Sequence, residues 1–290
     1  MITAGLHKEL YTANGKGVLN VDLTLHKGAV TSLYGASGVG KTMMLRMLAG
    51  LEIPDGGAIK YEDETWFDAE QKCNLAIARR RVGFVFQDYG LFPNMSIEEN
   101  LRFAVPDKDV ALIQYYLEVF GLASLKHRRA MELSGGQKQR AAIARALVFK
   151  PGLLLLDEPF TAQDKMMRDV VGQEILKFTK EHNAVTVLVT HDMGAIFQMA
   201  TYIYSIRDGL VAAEGSVEDV FLEGSSQRRN GVHGTVADIV ERAGREALLI
   251  LINDQVLELW KDDVAGEFER GDDVYLAITP GNAGILLQKI

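Results

Sequence analysis

Gly35-Ala36-Ser37-Gly38-Val39-Gly40-Lys41-Thr42 lies between an apolar run, Ala29 to Tyr34, and a helical pattern that stops near Gly50. Strand, glycine-rich turn and helix start, in that order, make a phosphate-binding loop. The glycines let backbone N–H groups converge on phosphate oxygens. Lys41 adds a point charge, and the Thr42 hydroxyl is placed to coordinate Mg²⁺, all at the positive end of a helix. A glycine-rich turn with no ligand is the plain alternative, and the flanking strand and helix weigh against it.

Two further stretches extend this reading. Leu153 to Leu156 is wholly apolar and ends in Asp157-Glu158. Asp157 is suited to hold Mg²⁺ through water, and Glu158 to polarise an attacking water. A carboxylate at a strand's end is commonly a solvated loop residue, but beside a phosphate-binding loop the pair reads as catalytic. Leu133-Ser134-Gly135-Gly136-Gln137 precedes a helical pattern from Lys138 to Phe149 that stops at Lys150-Pro151. Ser134 is a suitable N-cap, and the two glycines after it leave a bare helix N-terminus that a phosphate can approach.

Around these motifs, near-continuous apolar runs at Ala29 to Tyr34, Val82 to Gln87, Leu153 to Leu156 and Ala184 to Thr190 alternate with helical patterns. Such runs belong to a parallel sheet covered on both faces, so the first part of the chain is an α/β domain. A mostly helical insert follows Gln87, over about 88–150. Within it Asp107 to Phe120 reads as an amphipathic helix with Val110, Ile113, Leu117 and Phe120 on one face and Gly121 just past its end. Tyr202 to Ile206 and Leu210 to Ala213 flank Asp208-Gly209, a hairpin signal. At Glu223 to Gly231 the composition turns to Gly, Ser, Arg and Asn. We therefore expect a domain over 1–224, a linker over 225–231 and a second domain over 232–290. The last 59 residues carry five strand-like runs and no helix: Thr235 to Val240, Ala247 to Ile252, Val256 to Trp260, Val274 to Ile278 and Ile285 to Gln288. That pattern suggests a small Greek-key barrel.

Composition narrows the partners. With 31 Lys and Arg against 39 Asp and Glu, the chain carries a net charge of −8, which argues against sequence-independent nucleic-acid binding. A single cysteine, Cys73, makes no internal disulfide, and the opening MITAGLHKELY lacks the apolar core of a signal peptide; the expected setting is the cytoplasm. Runs such as Ala247 to Ile252 fall far short of the ~18 to 20 residues that span a bilayer, so a membrane role would come through a partner.

Taken in order, Gly35 to Thr42, Gln87, Leu133 to Gln137, Leu153 to Glu158 and His191 resemble an ABC-transporter ATPase over about the first 220 residues. The resemblance implies ATP and Mg²⁺ as cofactors. It places Gly35 to Thr42 and Met43 on the phosphates and Tyr11 on the adenine, with core packing the alternative for Tyr11. Thr42, Asp157 and Gln87 fall at the metal, with Gln87 also at the permease contact. Glu158 and His191 fall at the γ-phosphate. It further implies a homodimer in which Ser134, Gly135, Gly136 and Gln137, with Asp164, complete the other subunit's site. Where the family usually has Ser-Ala-Leu-Asp after the catalytic glutamate, this chain has Thr161-Ala162-Gln163-Asp164, so an apolar contact is lost. Val82 to Met95 looks most like importer ATPases, the molybdate and tungstate ones especially. Gly234-Thr235-Val236 and Arg270 to Leu276 are similar to the oligonucleotide-binding-fold barrels, of TOBE or Mop type, of such subunits. Similar barrels accompany importers of sulfate, iron, sugars and polyamines. Implied partners are membrane permease subunits at the cytoplasmic face, a solute-binding protein acting through them, and molybdate or tungstate at the barrel. Thr235, Arg242, Arg245 and Lys261 are candidate donors to the oxyanion. Two rivals are a soluble ABC ATPase acting on DNA or ribosomes and an oxyanion sensor. The first is disfavoured because only 46 residues separate Gln87 from Ser134, too few for a long coiled coil.

Overall fold

Leu153, Leu154, Leu155 and Leu156 expose none of their surface, and neither do Val185, Val187 and Leu188, as strands covered on both faces require. The computed structural model describes the chain apart from residues 13–14, 106–108, 162, 218, 224–231, 243, 253–254, 265, 280–283 and 290. It divides into two units, Met1–Val217 and Glu218–Ile290.

The first unit runs β1 (Ile2–Thr12), β2 (Gly15–Leu25), β3 (Ala29–Tyr34), α1 (Lys41–Ala49), β4 (Gly56–Tyr61), β5 (Glu64–Asp68), β6 (Cys73–Asn74) and β7 (Val82–Val85). It continues through α2 (Ile97–Ala104), α3 (Val110–Val119), α4 (Gly135–Val148), β8 (Leu153–Asp157), α5 (Lys165–Glu181), β9 (Val185–Val189), α6 (Met193–Met199), β10 (Tyr202–Arg207) and β11 (Leu210–Gly215). The central sheet has the order β11-β10-β3-β9-β8-β7. Its strands are parallel except β11, which turns back on β10 as the expected hairpin. Asp208 and Gly209 both have positive φ, 50° and 77°, the backbone that a two-residue primed turn demands.

A second, antiparallel sheet, β2-β1-β4-β5-β6, was not anticipated. Its apolar residues alternate, and Leu19, Val21, Leu23 and Leu25 of β2 all point into the core. Helix α1 is sandwiched between the two sheets: Met44, Leu45 and Leu48 share one apolar cluster with Leu6, Leu19 and Ile59 on one side and Leu155 and Val187 on the other. On the opposite face of the parallel sheet, Leu154, Leu156 and Leu188 meet Ile143 and Leu147 of α4 and Ile175 and Phe178 of α5.

Arg80 fastens this arrangement. It is 2% exposed, and all five of its N–H donors are used. Nε donates to the Leu75 carbonyl at 3.2 Å, Nη1 to the carbonyls of Met47 and Leu48 at 3.3 and 3.2 Å, and Nη2 to the Trp66 carbonyl and Asn74 Oδ1 at 3.1 and 2.9 Å. The guanidinium also lies over the Trp66 ring, 5.7 Å from its centre. Met47 and Leu48 close the last turn of α1, where carbonyls lack helical partners and a positive charge is favoured. One buried cation thereby joins the end of the loop-bearing helix to the antiparallel sheet.

Three sequence expectations need correction in the helical region. Helix α3 is capped by Asp109, whose side chain accepts from Leu112 N, and the first residues expected in it lie outside the described ones. Val110 is 56% exposed, because the first turn faces solvent; the buried face is Ile113, Tyr116, Leu117 and Phe120. Helix α4 starts at Gly135 rather than Lys138, because Ser134 and Gln137 form a reciprocal capping box that draws both glycines into the first turn.

The second unit contains β12 (Val232–Arg242), β13 (Arg245–Ile252), β14 (Gln255–Trp260), β15 (Asp273–Thr279) and β16 (Gly284–Lys289), at the places of the five expected strands. They pair antiparallel in the order β14-β13-β12-β15-β16. Strand β15 returns by a long connection to lie beside β12, the Greek-key pattern. Val236, Leu248, Ile250, Phe268 and Val274 form its core. The expected linker, 225–231, lies outside the described residues.

Candidate active site

The loop after β3 is fixed by close backbone approach. Gly35 has φ of 153°, and a Cβ there would sit 2.3 Å from the Ile206 carbonyl oxygen of β10, so no side chain fits. The loop delivers Lys41 and Thr42 to the first turn of α1. Lys41 is 6% exposed, and its ammonium donates to the carbonyls of Gly35 and Ala36, both at 2.8 Å. Burial lowers its pKa, while the charges of Glu158 and Asp157 oppose that shift.

Asp157 ends β8, is 3% exposed and hydrogen-bonds the Thr42 side chain; burial raises its pKa against the pull of Thr42 and Lys41. Both shifts have one sign in energy. Asp157 costs stability as pH rises from the ordinary carboxylate value to its raised pKa, above which the cost is complete. Protonated Lys41 costs stability in full below its lowered pKa, a cost relieved only as pH rises from there to the ordinary lysine value. A ligand carrying both a cation and anionic oxygens relieves both costs.

Glu158 follows in the left-handed region, φ 50°, a strained backbone for a non-glycine residue. Its N–H is bonded to the Val189 carbonyl at 2.8 Å, which ties the turn to the neighbouring strand. Oε2 accepts from Thr190 Oγ1 at 3.2 Å and from the His191 N–H at 3.4 Å, and His191 Nε2 lies 3.3 Å from Oε1.

These groups open on one cavity of about 790 Å³, at the carboxyl ends of the parallel strands, where ligands bind in such sheets. Ser37, Gly38, Gly40, Lys41, Thr42, Met43, Gln87, Asp157, Glu158 and His191 line it. Gly35, Ala36 and Val39 belong to the same loop without lining the cavity. Ser134 to Gln137 lie elsewhere, at the start of α4, and Asp164 caps α5 by accepting from Met167 N at 2.9 Å. Tyr11 of β1 pairs through its backbone with Lys16 of β2, and its side chain lies outside what is described. Sequence reasoning missed Thr161, Arg168, Thr190 and Asp192, which also line the cavity. Only the adjacency of Thr190 and Asp192 to His191 hinted at them. Gln163 is buried and turns back on its own loop, its Nε2 donating to the Pro159 carbonyl at 3.2 Å, while Oε1 has no hydrogen-bond partner among the described residues.

The donor set suits Mg²⁺ held together with phosphates. Thr42, Asp157 and Gln87 offer hard oxygens, and among the described residues no three His, Cys, Asp or Glu side chains converge to cage an ion by themselves. Mg²⁺ characteristically takes one or two protein oxygens and completes its shell with water and phosphate.

The family model described as ABC transporter matches residues 18–161, which contain the loop, Gln87, Ser134 to Gln137, Asp157 and Glu158. Residues 18–161 form an ABC transporter family domain. The chain's similarity extends to the molybdenum import ATP-binding protein ModC of Vibrio parahaemolyticus, 37% identical over 207 residues that make up 71% of this chain and 56% of that protein. It is also similar to the Fe(3+) ions import ATP-binding protein FbpC 2 of Pectobacterium atrosepticum, 37% identical over 73% of this chain and 62% of that protein. The chain thus spans a little over half the length of these relatives. Among solved structures, a dimeric ATP-binding cassette in a post-hydrolysis state with ADP and Pi is 28% identical, with a TM-score of 0.65, over 75% of this chain and 99% of that one.

Proposed function

We propose that this chain binds Mg²⁺-ATP in the 790 Å³ cavity and hydrolyses it to energise an importer. One observation carries the proposal: Lys41, Thr42, Asp157, Glu158 and His191, from three separate stretches of sequence, converge on a single cavity. Lys41 and the N–H groups of its loop hold the phosphates, and Thr42, Asp157 and Gln87 hold Mg²⁺, which supplies positive charge against the phosphate oxygens. Glu158 polarises the attacking water and His191 faces the γ-phosphate. Two copies act together, the partner subunit's Ser134 to Gln137 covering the nucleotide. In support of pairing, Ser134 to Gln137 line no part of the chain's own cavity, and the similar cassette was solved as a dimer.

The solute we propose is molybdate or a related oxyanion, on the strength of the molybdenum-import relative, with iron the alternative that the second relative supports. Among the described residues no helix is long and apolar enough to cross a membrane. We propose a peripheral subunit on the cytoplasmic face, held by a permease that receives solute from a binding protein. Its ATPase domain would span 1–224, the linker 225–231 and the barrel 232–290. Molybdate binding by the barrel gains no support from the candidate donors. Thr235 donates to Asp273, and Arg242, Arg245 and Lys261 pair with Glu258, with Asp262 and Asp263, and with Glu246 respectively, so an anion would have to displace a carboxylate at each.

The test is transport by the full chain assembled with its permease and binding protein in vesicles. ATP-dependent uptake of molybdate, abolished by Lys41→Ala, is the expected result. Uptake of iron or sulfate instead would reassign the solute, and ATP turnover that no permease affects would favour the soluble, non-transport reading.

A further inference from the structure

We propose that Arg168 is a positioning residue for ATP hydrolysis: its guanidinium clamps the segment after Glu158 to the segment carrying His191, and so fixes how the two face each other. This rests on the ATPase reading above. Arg168 lies in the first turns of α5 and lines the cavity. Its Nη1 is ion-paired with Asp192 Oδ2, and its Nη2 donates to the Gln163 carbonyl at 3.3 Å. Asp192 is in turn held on its other side: its Oδ1 accepts from Ala195 N at 3.2 Å as the cap of α6, and its N–H donates to Thr190 Oγ1 at 3.1 Å.

These contacts close a ring. From Glu158 the chain runs through Pro159 to Gln163, crosses by Arg168 to Asp192, and returns through His191 and Thr190, both of which touch the Glu158 carboxylate. With the clamp in place, the two walls of the reacting end of the cavity move as one body. Without it they are joined by the β8–β9 ladder that ends at Asp157 and Val189, by the Glu158 N–H to Val189 bond and by the contacts to Glu158 itself. The pair is partly buried, with side-chain exposures of 35% for Arg168 and 24% for Asp192, and the Arg168 Nε is buried without a hydrogen-bond partner among the described residues. That orphaned donor is an unfavourable arrangement, consistent with a side chain fixed by its two outer contacts. With one terminal nitrogen engaged by Asp192 and the other by Gln163, Arg168 acts through Glu158 and His191 and does not touch phosphate.

The experiment measures ATP turnover by the full-length chain in single-turnover and steady-state assays, with melting midpoints for every variant. Arg168→Met is expected to lower kcat about tenfold while KM for ATP stays within about twofold, and Arg168→Lys, which keeps the charge facing Asp192, to recover part of that loss. In a His191→Ala background Arg168→Met is expected to cost less than about twofold more, since residues acting as a unit are not additive. A raised KM with unchanged kcat would make Arg168 a phosphate contact and overturn the proposal. A full tenfold loss on top of His191→Ala, or a loss matched by a lowered melting midpoint and abolished by cooling, would also overturn it. Glu158→Gln run alongside separates the two levels. If Glu158→Gln stalls while Arg168→Met turns over normally, only the clamp is wrong; if Glu158→Gln turns over normally, the ATPase reading falls with it.

Discussion

Replacing Glu158 with Gln is expected to slow ATP turnover by on the order of 10² or more while Mg²⁺-ATP affinity stays near that of the unchanged chain. The amide keeps the size of the side chain and can still accept from Thr190 and the His191 N–H, so the loop should hold its shape. What it loses is the charge that polarises water. The phosphate-binding groups, Lys41 and the loop glycines, sit on a different element, which is why affinity and turnover should separate. Equilibrium nucleotide binding and turnover measured on one preparation check this, and parallel losses in both would mean that Glu158 serves binding instead of hydrolysis.

Arg80→Met is expected to be the most damaging single change to stability. It leaves the carbonyls of Leu48 and Leu75 short of a donor, takes one hydrogen bond each from those of Met47 and Trp66, which keep the N–H groups of Gly50 and Leu75, and removes a charge that these dipoles and the Trp66 ring accommodate in a site with almost no access to water. Unsatisfied buried acceptors cost ~1 to 3 kcal/mol each, softened by relaxation, so a total of about 3 to 5 kcal/mol is reasonable. For a domain of this size that lowers the melting midpoint by roughly 10 °C. Arg80→Lys should fall between the two, because an ammonium has three donors where the site presents five acceptors. Thermal unfolding followed by circular dichroism measures both, and a midpoint for Arg80→Met within about 2 °C of the parent would show that the acceptors find other partners.

The parts legible in the sequence were those whose chemistry is local. The loop from Gly35 to Thr42, the Asp157-Glu158 strand end and the Ser134 cap each carry their geometry in consecutive residues, and each stands in the structure where its pattern placed it. The hairpin at Asp208-Gly209 was equally readable, because only a few residue types accept two successive positive φ values. Long-range pairing was harder to see. The antiparallel sheet joins β1 to β4 across half a hundred residues, and the alternation in β1 is broken by Lys8, which stands in register with the buried Ile2, Ala4, Leu6 and Leu10. Arg80 and Arg168 look like ordinary solvated arginines in sequence, because what they contact is set by tertiary packing. Val110 shows the converse limit: its spacing fits the buried face of α3, yet the first turn stands clear of the core, and helix periodicity gives no information about where the neighbour ends.

In the proposed dimer, Ser134 to Gln137 serve the partner's nucleotide and not their own chain's cavity. The most direct test is the molar mass of Glu158→Gln by sedimentation, with and without Mg²⁺-ATP. A monomer without nucleotide and a dimer of twice the mass with it are expected, reverting to monomer when Ser134 is replaced by a bulky charged residue. The same mass with and without Mg²⁺-ATP, under conditions where nucleotide binding is shown to be saturated, would contradict it.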